Sequence, residues 1–129
     1  MNERSLIIAG AGNMFVAVAA GAFVAHGLKQ ILSAEMLAIW QTGVTYQIAH
    51  GLGLLAIATL APRLKSRLTA WAGMAMLIGI VLFSGSLYAL ALSGLRILGA
   101  ITPLGGIGFL VAWGMLALAA YRSLGRGEN

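Results

Sequence analysis

The sequence predicts an all-α membrane protein with four transmembrane helices in a compact bundle and both termini in the cytoplasm. Hydrophobic residues make up 60% of the 129 residues and charged residues only 9%, whereas a soluble domain usually carries about 25% charged residues. Because this small number of charged side chains cannot cover a globule of this size, lipid must solvate most of its surface. The length fits a single domain spanning residues 1–129.

Charged residues divide the chain into four apolar stretches, each as long as the roughly 20 residues that cross a hydrocarbon core. Because lipid offers the backbone no hydrogen-bond partners, these stretches should be helices. The expected spans are residues 5–28, 34–61, 68–93 and 102–123.

The first span also resembles a signal peptide, but its long apolar run and weakly positive start favour a transmembrane helix. Ser33 is suited to cap the second helix, with Glu35 in the first turn where the helix dipole favours an anion. Pro62 is expected to end that helix near Ala61.

The third helix has a candidate cap in Ser66. Thr102 followed by Pro103 is typical of an N-cap and the first helical position. Residues 94–102 would then form an apolar loop in the membrane interface. A start near Ile97 is the alternative, with Pro103 kinking the fourth helix.

The distribution of Lys and Arg predicts the orientation. Four spans place both termini and the middle loop on one side, and this side carries six basic residues: Arg4, Arg63, Lys65, Arg67, Arg122 and Arg126. The other side has only Lys29 and Arg96. Both termini are therefore expected inside, and no basic face with interleaved aromatic residues indicates nucleic-acid binding.

The 18 glycines favour close packing of helices, which small residues permit in lipid. A four-helix bundle of this kind is too thin to enclose a wide pore, although a pore between subunits stays open as an alternative.

No Asp, Glu, Lys or Arg lies deep in a predicted span, so polar neutral residues are the candidates for function. His50 is near the middle of the second span, and Gln47 and Tyr46 precede it by three and four positions, on one helical face. Asn13 and Ser84 lie at similar depths on neighbouring spans. We expect an interhelical hydrogen-bond network, which is either structural or a proton-coupled or ligand-binding site.

A second candidate cluster lies at the outer ends of the spans. His26 precedes Gly27, which is typical of a helix C-terminus with a glycine cap. Arg96 is expected beside His26. Tyr88 and Ser86 are expected to reach the layer of Thr102.

No cofactor is predicted. His26 and His50 differ in depth by about 15 Å, too much for one haem, and no third ligand is level with either. The absence of cysteine removes thiolate chemistry, and no carboxylate lies at depth to orient a histidine. We therefore expect no metal site and no enzymatic activity.

Three motifs resemble a known family: residues 21–28 (GAFVAHGL), residues 40–47 (WQTGVTYQ) with His50, and residues 83–90 (FSGSLYAL) continuing through Arg96 to residues 101–106 (ITPLGG). Together they resemble the YgdD-like family of small bacterial inner-membrane proteins, which has small eukaryotic multi-span relatives. Val24 departs from the glycine expected there. The resemblance implies a multi-pass protein of the bacterial inner membrane and no particular activity.

Nine polar residues inside these motifs are the candidate polar or ligand-binding residues: His26, Tyr46, Gln47, His50, Ser84, Ser86, Tyr88, Arg96 and Thr102. Three functions remain open. The first is association, as an accessory subunit or a membrane-integrity factor. The second is an oligomeric transporter or channel for a small solute at the His50 and Gln47 face. The third is lipid binding at the outer cluster. The partners expected are membrane lipids and either further copies of the chain or a larger membrane complex.

Overall fold

Four long helices make up the protein in a computed structural model that describes residues 1–125. They are α1 (Glu3–Ile31), α2 (Ala34–Leu64), α3 (Arg67–Ser93) and α4 (Thr102–Leu124). Each belongs to a segment long and apolar enough to cross a membrane, so the predicted all-α membrane fold with four spans is confirmed. Arg126, counted above for the orientation, lies outside the described residues.

Helix α1 begins after Asn2, whose side chain accepts a hydrogen bond from the Ser5 backbone N–H. It does not end at Gly27, so the predicted glycine cap is wrong. Residues Val24–Leu28 form a π-helical turn and the chain stays helical to Ile31. Val24 and Leu28 are buried beside α2, and this packing favours continuation of the helix over a glycine end.

Helix α2 begins at the predicted cap, because the Ser33 hydroxyl accepts from the Met36 backbone N–H. Pro62 does not end it, contrary to expectation, and the helix continues to Leu64. A proline this close to the end removes only one hydrogen bond, and burial of Leu64 offsets that loss. Lys65 then adopts a left-handed conformation with φ of 47° and ends the helix.

Helix α3 starts directly after this turn, and the predicted cap Ser66 accepts from the Leu68 backbone N–H. Gly94, with φ of 71°, ends the helix. The following segment is not an irregular loop, because residues Arg96–Ala100 form a 3₁₀ helix. Helix α4 then begins at Thr102 with Pro103 in its first turn, but the Thr102 side chain does not act as the predicted cap.

Helices α2 and α3 form the centre, with α1 packed on α2 and α4 packed on α3. Glycines line both flanking contacts, as expected for helices in lipid. A Cβ atom at Gly10 would lie 3.1 Å from the carbonyl oxygen of Gly51, and one at Gly105 would lie 2.8 Å from that of Gly79. The backbones therefore approach closely only because these positions carry no side chain.

Two apolar clusters occupy the two halves of the bundle. The first comprises Leu6, Leu54, Ile57, Ala58, Ala72, Met76, Ile80, Phe109 and Ala112. The second comprises Ala20, Val24, Leu28, Trp40, Val44 and Ala91. On α1, α2 and α3 the polar residues at mid-span lie between these clusters, so they form a separate layer across the bundle.

Candidate functional site

A chain of hydrogen bonds joins three helices in the polar layer. The Asn13 side-chain amide donates to the Ala9 carbonyl oxygen at 2.9 Å, and its Oδ1 accepts from Gln47 Nε2 at 3.0 Å. Gln47 Oε1 accepts from the Tyr88 hydroxyl at 2.7 Å. Gln47 is only 5% exposed. This Asn13–Gln47–Tyr88 chain therefore links α1, α2 and α3 inside the membrane.

Two further contacts strengthen the same layer. The Trp40 ring lies 4.5 Å from the Tyr88 ring, centroid to centroid, and its indole N–H donates to the Ala20 carbonyl oxygen at 2.9 Å. The Ser84 hydroxyl donates to the Gly43 carbonyl oxygen at 2.7 Å. The predicted interhelical network is thus present, and it holds α2 to both of its neighbours.

His50 does not belong to this chain. Its Nδ1 lies 2.8 Å from the Tyr46 carbonyl oxygen. A carbonyl oxygen only accepts, so Nδ1 carries the proton, and Nε2 of the neutral ring keeps a lone pair. The expectation that Tyr46, Gln47 and His50 share one face is wrong. Successive helical residues are rotated by about 100°. Gln47 therefore faces α1 and α3, whereas Tyr46 packs on Phe83 of α3 and His50 packs on Phe109 of α4.

Aromatic rings of α4 pack against His50 of α2. The imidazole stacks on Phe109 with centroids 3.5 Å apart, and the Trp113 ring is 5.9 Å away. Tyr46 packs on Phe83 at 4.3 Å. The sequence reasoning did not single out Phe109 and Trp113, although their spacing of four residues places both on one face of α4.

The polar residues at the outer ends of the spans separate into independent contacts. The hydroxyls of Ser86 and Thr102 are 2.6 Å apart, which explains why Thr102 is not free to cap α4. Arg96 donates to both carboxylate oxygens of Glu35, at 2.9 and 3.2 Å, and ties the 3₁₀ helix to α2. Tyr88 was predicted to reach the layer of Thr102, but its hydroxyl donates to Gln47 instead.

His26 is exposed on the π-helical turn, and among the described residues Arg96 makes its side-chain hydrogen bonds to Glu35 and not to His26. Together with Ala19, Ala22 and Phe23, His26 lines a shallow surface depression of about 320 Å³ on α1. The structure therefore does not assemble the outer cluster predicted around His26 and Arg96.

The polar layer is almost completely satisfied by the protein itself. Among the described residues, no buried side-chain nitrogen or oxygen lacks a hydrogen-bond partner. Residues 1–125 also contain no group of three His, Asp or Glu side chains arranged to hold a metal ion. Within that part of the chain, His50 Nε2 and the Tyr46 hydroxyl are polar groups at depth that make no hydrogen bond to protein. The chemistry available here is hydrogen bonding between helices, and the free groups beside His50 include its own Nε2, the Tyr46 hydroxyl and the Trp113 indole N–H.

Residues 20–106 match a family described as "Protein of unknown function (DUF423)". The UPF0382 membrane protein SSP2132 of Staphylococcus saprophyticus is 50% identical over 119 residues, 92% of this chain and 98% of that protein. The UPF0382 membrane protein YwdK of Bacillus subtilis is 49% identical over 122 residues, 94% of this chain and 99% of its own.

The UPF0382 inner membrane protein YgdD of Escherichia coli K12 is 40% identical over 129 residues, which cover 100% of this chain and 98% of that protein. No solved structure shows significant similarity to the chain.

Proposed function

Because the chain belongs to the DUF423 family, whose similar relatives are UPF0382 membrane proteins of uncharacterised activity, we propose that this inner-membrane protein acts by association with other membrane-spanning helices. It would serve as an accessory subunit or as a factor that affects membrane integrity. Catalytic activity is not part of the proposal.

The internal use of the polar layer supports this function. A catalytic or transport site needs polar groups that are free to meet a substrate, whereas Asn13, Gln47, Tyr88 and Ser84 are bound to one another or to backbone. Such bonds fix the helices relative to each other. A rigid bundle suits a protein that presents its outer surfaces to a partner.

The observation that carries the proposal is the exposed face of α1, which we call the α1 contact stripe. It comprises the exposed residues Ile8, Gly12, Phe15, Ala22, Phe23 and His26 and the half-buried Ala19. A Cβ atom at Gly12 would meet no other atom of residues 1–125 within 4 Å, so this glycine serves no packing within that part of the chain. Glycine costs a helix about 1 kcal/mol relative to alanine. A glycine and two alanines beside exposed phenylalanines allow a second helix to approach closely.

Cysteine crosslinking in native membranes tests the proposal, because the chain contains no cysteine of its own. We expect Ala22→Cys to give a crosslinked species, either of two copies or of this chain with a larger partner. Ala89→Cys is the matched control, since Ala89 is an exposed alanine near the same ends of the spans, on α3. Adding Gly12→Leu, which fills only open space, should abolish the Ala22 crosslink. Equal crosslinking at both cysteines, or none at either, would contradict the proposal.

His50 favours a second candidate, an oligomeric transporter or channel for a small protonatable solute. The supporting observation is the Nε2 lone pair at mid-membrane, which has no protein partner within residues 1–125. Gln47 does not support this function, because both ends of its amide are already bound.

Proton flux into proteoliposomes, followed with a pH-sensitive dye, tests this second candidate. His50→Phe keeps the stacking on Phe109 and removes the lone pair, so flux should fall to background. His26→Phe makes the same change at the exposed histidine and should leave flux unchanged. Flux that survives His50→Phe would eliminate the site.

A further inference from the structure

The turn between α2 and α3 concentrates positive charge at one membrane surface. Arg63, Lys65 and Arg67 lie within five positions, and all three are exposed. In the described part of the chain, the ion pair is formed by Glu35 and Arg96, which lie at the other membrane surface from this turn. The three basic side chains therefore have no acidic partner within residues 1–125, and they are available to an anion.

A surface depression of about 350 Å³ runs from this charged turn toward the hydrocarbon. Arg67 lies at its rim, and Met1, Ala70, Trp71 and Met74 complete its lining. Ala70 and Met74 follow Arg67 by about one and two helical turns, so the depression becomes apolar with depth. Trp71 is 62% exposed beside it, as expected of an aromatic residue at the membrane interface.

The opposite wall is Met1, and the N-terminal residues Met1 and Leu6 contact α3 at Gly73. A Cβ atom at Gly73 would contact the Leu6 side chain and lie 3.5 Å from the Met1 sulfur. The absence of a side chain at Gly73 therefore lets the beginning of α1 lie over α3. The depression is thus formed by one face of α3 and by Met1, which precedes α1.

We propose that this depression binds one anionic phospholipid. Its phosphate lies against the Arg67 guanidinium, with Arg63 and Lys65 in the same turn, and one acyl chain follows Ala70 and Met74. Basic clusters at the membrane surface attract anionic headgroups. A free phosphate would use only the charged rim, whereas the apolar depth of the depression matches an acyl chain. The site is separate from the α1 contact stripe and independent of the association proposed above.

Quenching of Trp71 fluorescence by brominated lipids tests the site in vesicles. Wild-type protein is compared with Trp71→Phe, and the difference isolates Trp71 from Trp40 and Trp113. At equal mole fractions, brominated phosphatidylglycerol should quench Trp71 more strongly than brominated phosphatidylcholine. Soluble glycerol phosphate should not compete. Arg67→Gln should reduce the preference for the anionic lipid about fivefold, the contribution expected of one cation at the surface.

Two further variants separate a built site from general surface charge. Arg122→Gln removes one exposed cation from the same predicted side that does not line the depression, and it should reduce the preference much less than Arg67→Gln does. Ala70→Leu fills the apolar part of the depression and should weaken quenching of Trp71 by the anionic lipid while all charges remain. Far-UV circular dichroism checks that each variant is folded. Equal quenching by both lipids, or an equal loss in Arg122→Gln and Arg67→Gln, would overturn the proposal.

Discussion

The Tyr88 hydroxyl is the donor at the end of the Asn13–Gln47–Tyr88 chain, and its removal leaves Gln47 Oε1 without a partner in the membrane. Tyr88→Phe should therefore lower the free energy of unfolding by about 0.6 to 1.7 kcal/mol, from the average to the maximum found for interhelical hydrogen bonds in lipid. Unfolding by SDS titration of mixed micelles measures this change.

Tyr121→Phe is the matched control for this prediction. Tyr121 is 80% exposed and its hydroxyl makes no hydrogen bond to the described residues, so that hydroxyl should contribute nothing measurable. Equal stability of wild type and Tyr88→Phe would show that the chain of hydrogen bonds does not hold the helices together.

Depth along a helix follows directly from the sequence, and rotation about its axis does not. The rise per residue places Asn13 and Gln47 at matching depths, and the two side chains do bond. Tyr88 was expected in the outer layer because it lies near the outer end of α3. Its position along α3 is also compatible with the layer of Gln47. Only the rotation of α3 against α2, set by contacts such as Gly43 with Tyr88, turns the hydroxyl inward.

Close contact between α3 and α4 depends on glycine at position 105. A Cβ atom there would clash with the Phe83 backbone nitrogen and lie 2.8 Å from the Gly79 carbonyl oxygen, and backbone atoms cannot move aside as a side chain does. Gly105→Ala should therefore destabilise the protein by about 1 to 3 kcal/mol, as overpacking does. SDS titration again provides the measurement.

The same substitution on the other face of α4 provides a control. A Cβ atom at Gly114 would meet no atom within 4 Å, so Gly114→Ala should be neutral or stabilise the helix by up to about 1 kcal/mol. A gain of stability in both variants would indicate that helix propensity, rather than interhelical contact, governs these glycines.

Helix beginnings were easier to predict than helix ends. Ser33 and Ser66 both act as N-caps, because capping is a local contact within one turn. Pro62 and Gly27 were expected to end helices. The helix continues past Pro62 because Leu64 is buried, and it continues past Gly27 because Leu28 is buried. Tertiary burial, which a local signal does not report, decides these ends.

The orientation of the whole molecule remains a prediction from the distribution of basic residues. Four spans place the Lys65 turn and the Leu95 segment on opposite sides of the membrane. Because the chain has no cysteine, Lys65→Cys and Leu95→Cys each give one reactive thiol. A membrane-impermeant maleimide added to intact cells, with the outer membrane permeabilised where one is present, should label Leu95→Cys and not Lys65→Cys.

Cell lysis should then expose Lys65→Cys to the reagent, and the parent protein should stay unlabelled throughout. Labelling of Lys65→Cys in intact cells would reverse the assignment of both termini to the cytoplasm.

At the scale of the whole molecule, composition was enough to predict the class of fold, since lipid is the only solvent that suits so apolar a surface. It was not enough to predict which helices are central. α2 and α3 carry glycines on two faces. On α2, for example, Gly43 contacts α3 and Gly51 contacts α1. However, α1 and α4 are also glycine-rich. The pairing of helices depends on the fit of particular surfaces, which periodicity alone does not specify.

The π-helical turn at Val24–Leu28 also bears on how the chain can change in length. Such a turn holds one residue more than the α-helical turn that would replace it. Deleting one residue there would return the segment to a regular α-helix. The packed face of Gly10 and Ala17, before the turn, and the connection to α2, after it, would keep their orientation. A deletion near Ala17 would instead rotate half of α1 out of register. The outer end of α1 is therefore where deletion of one residue should disturb the fold least.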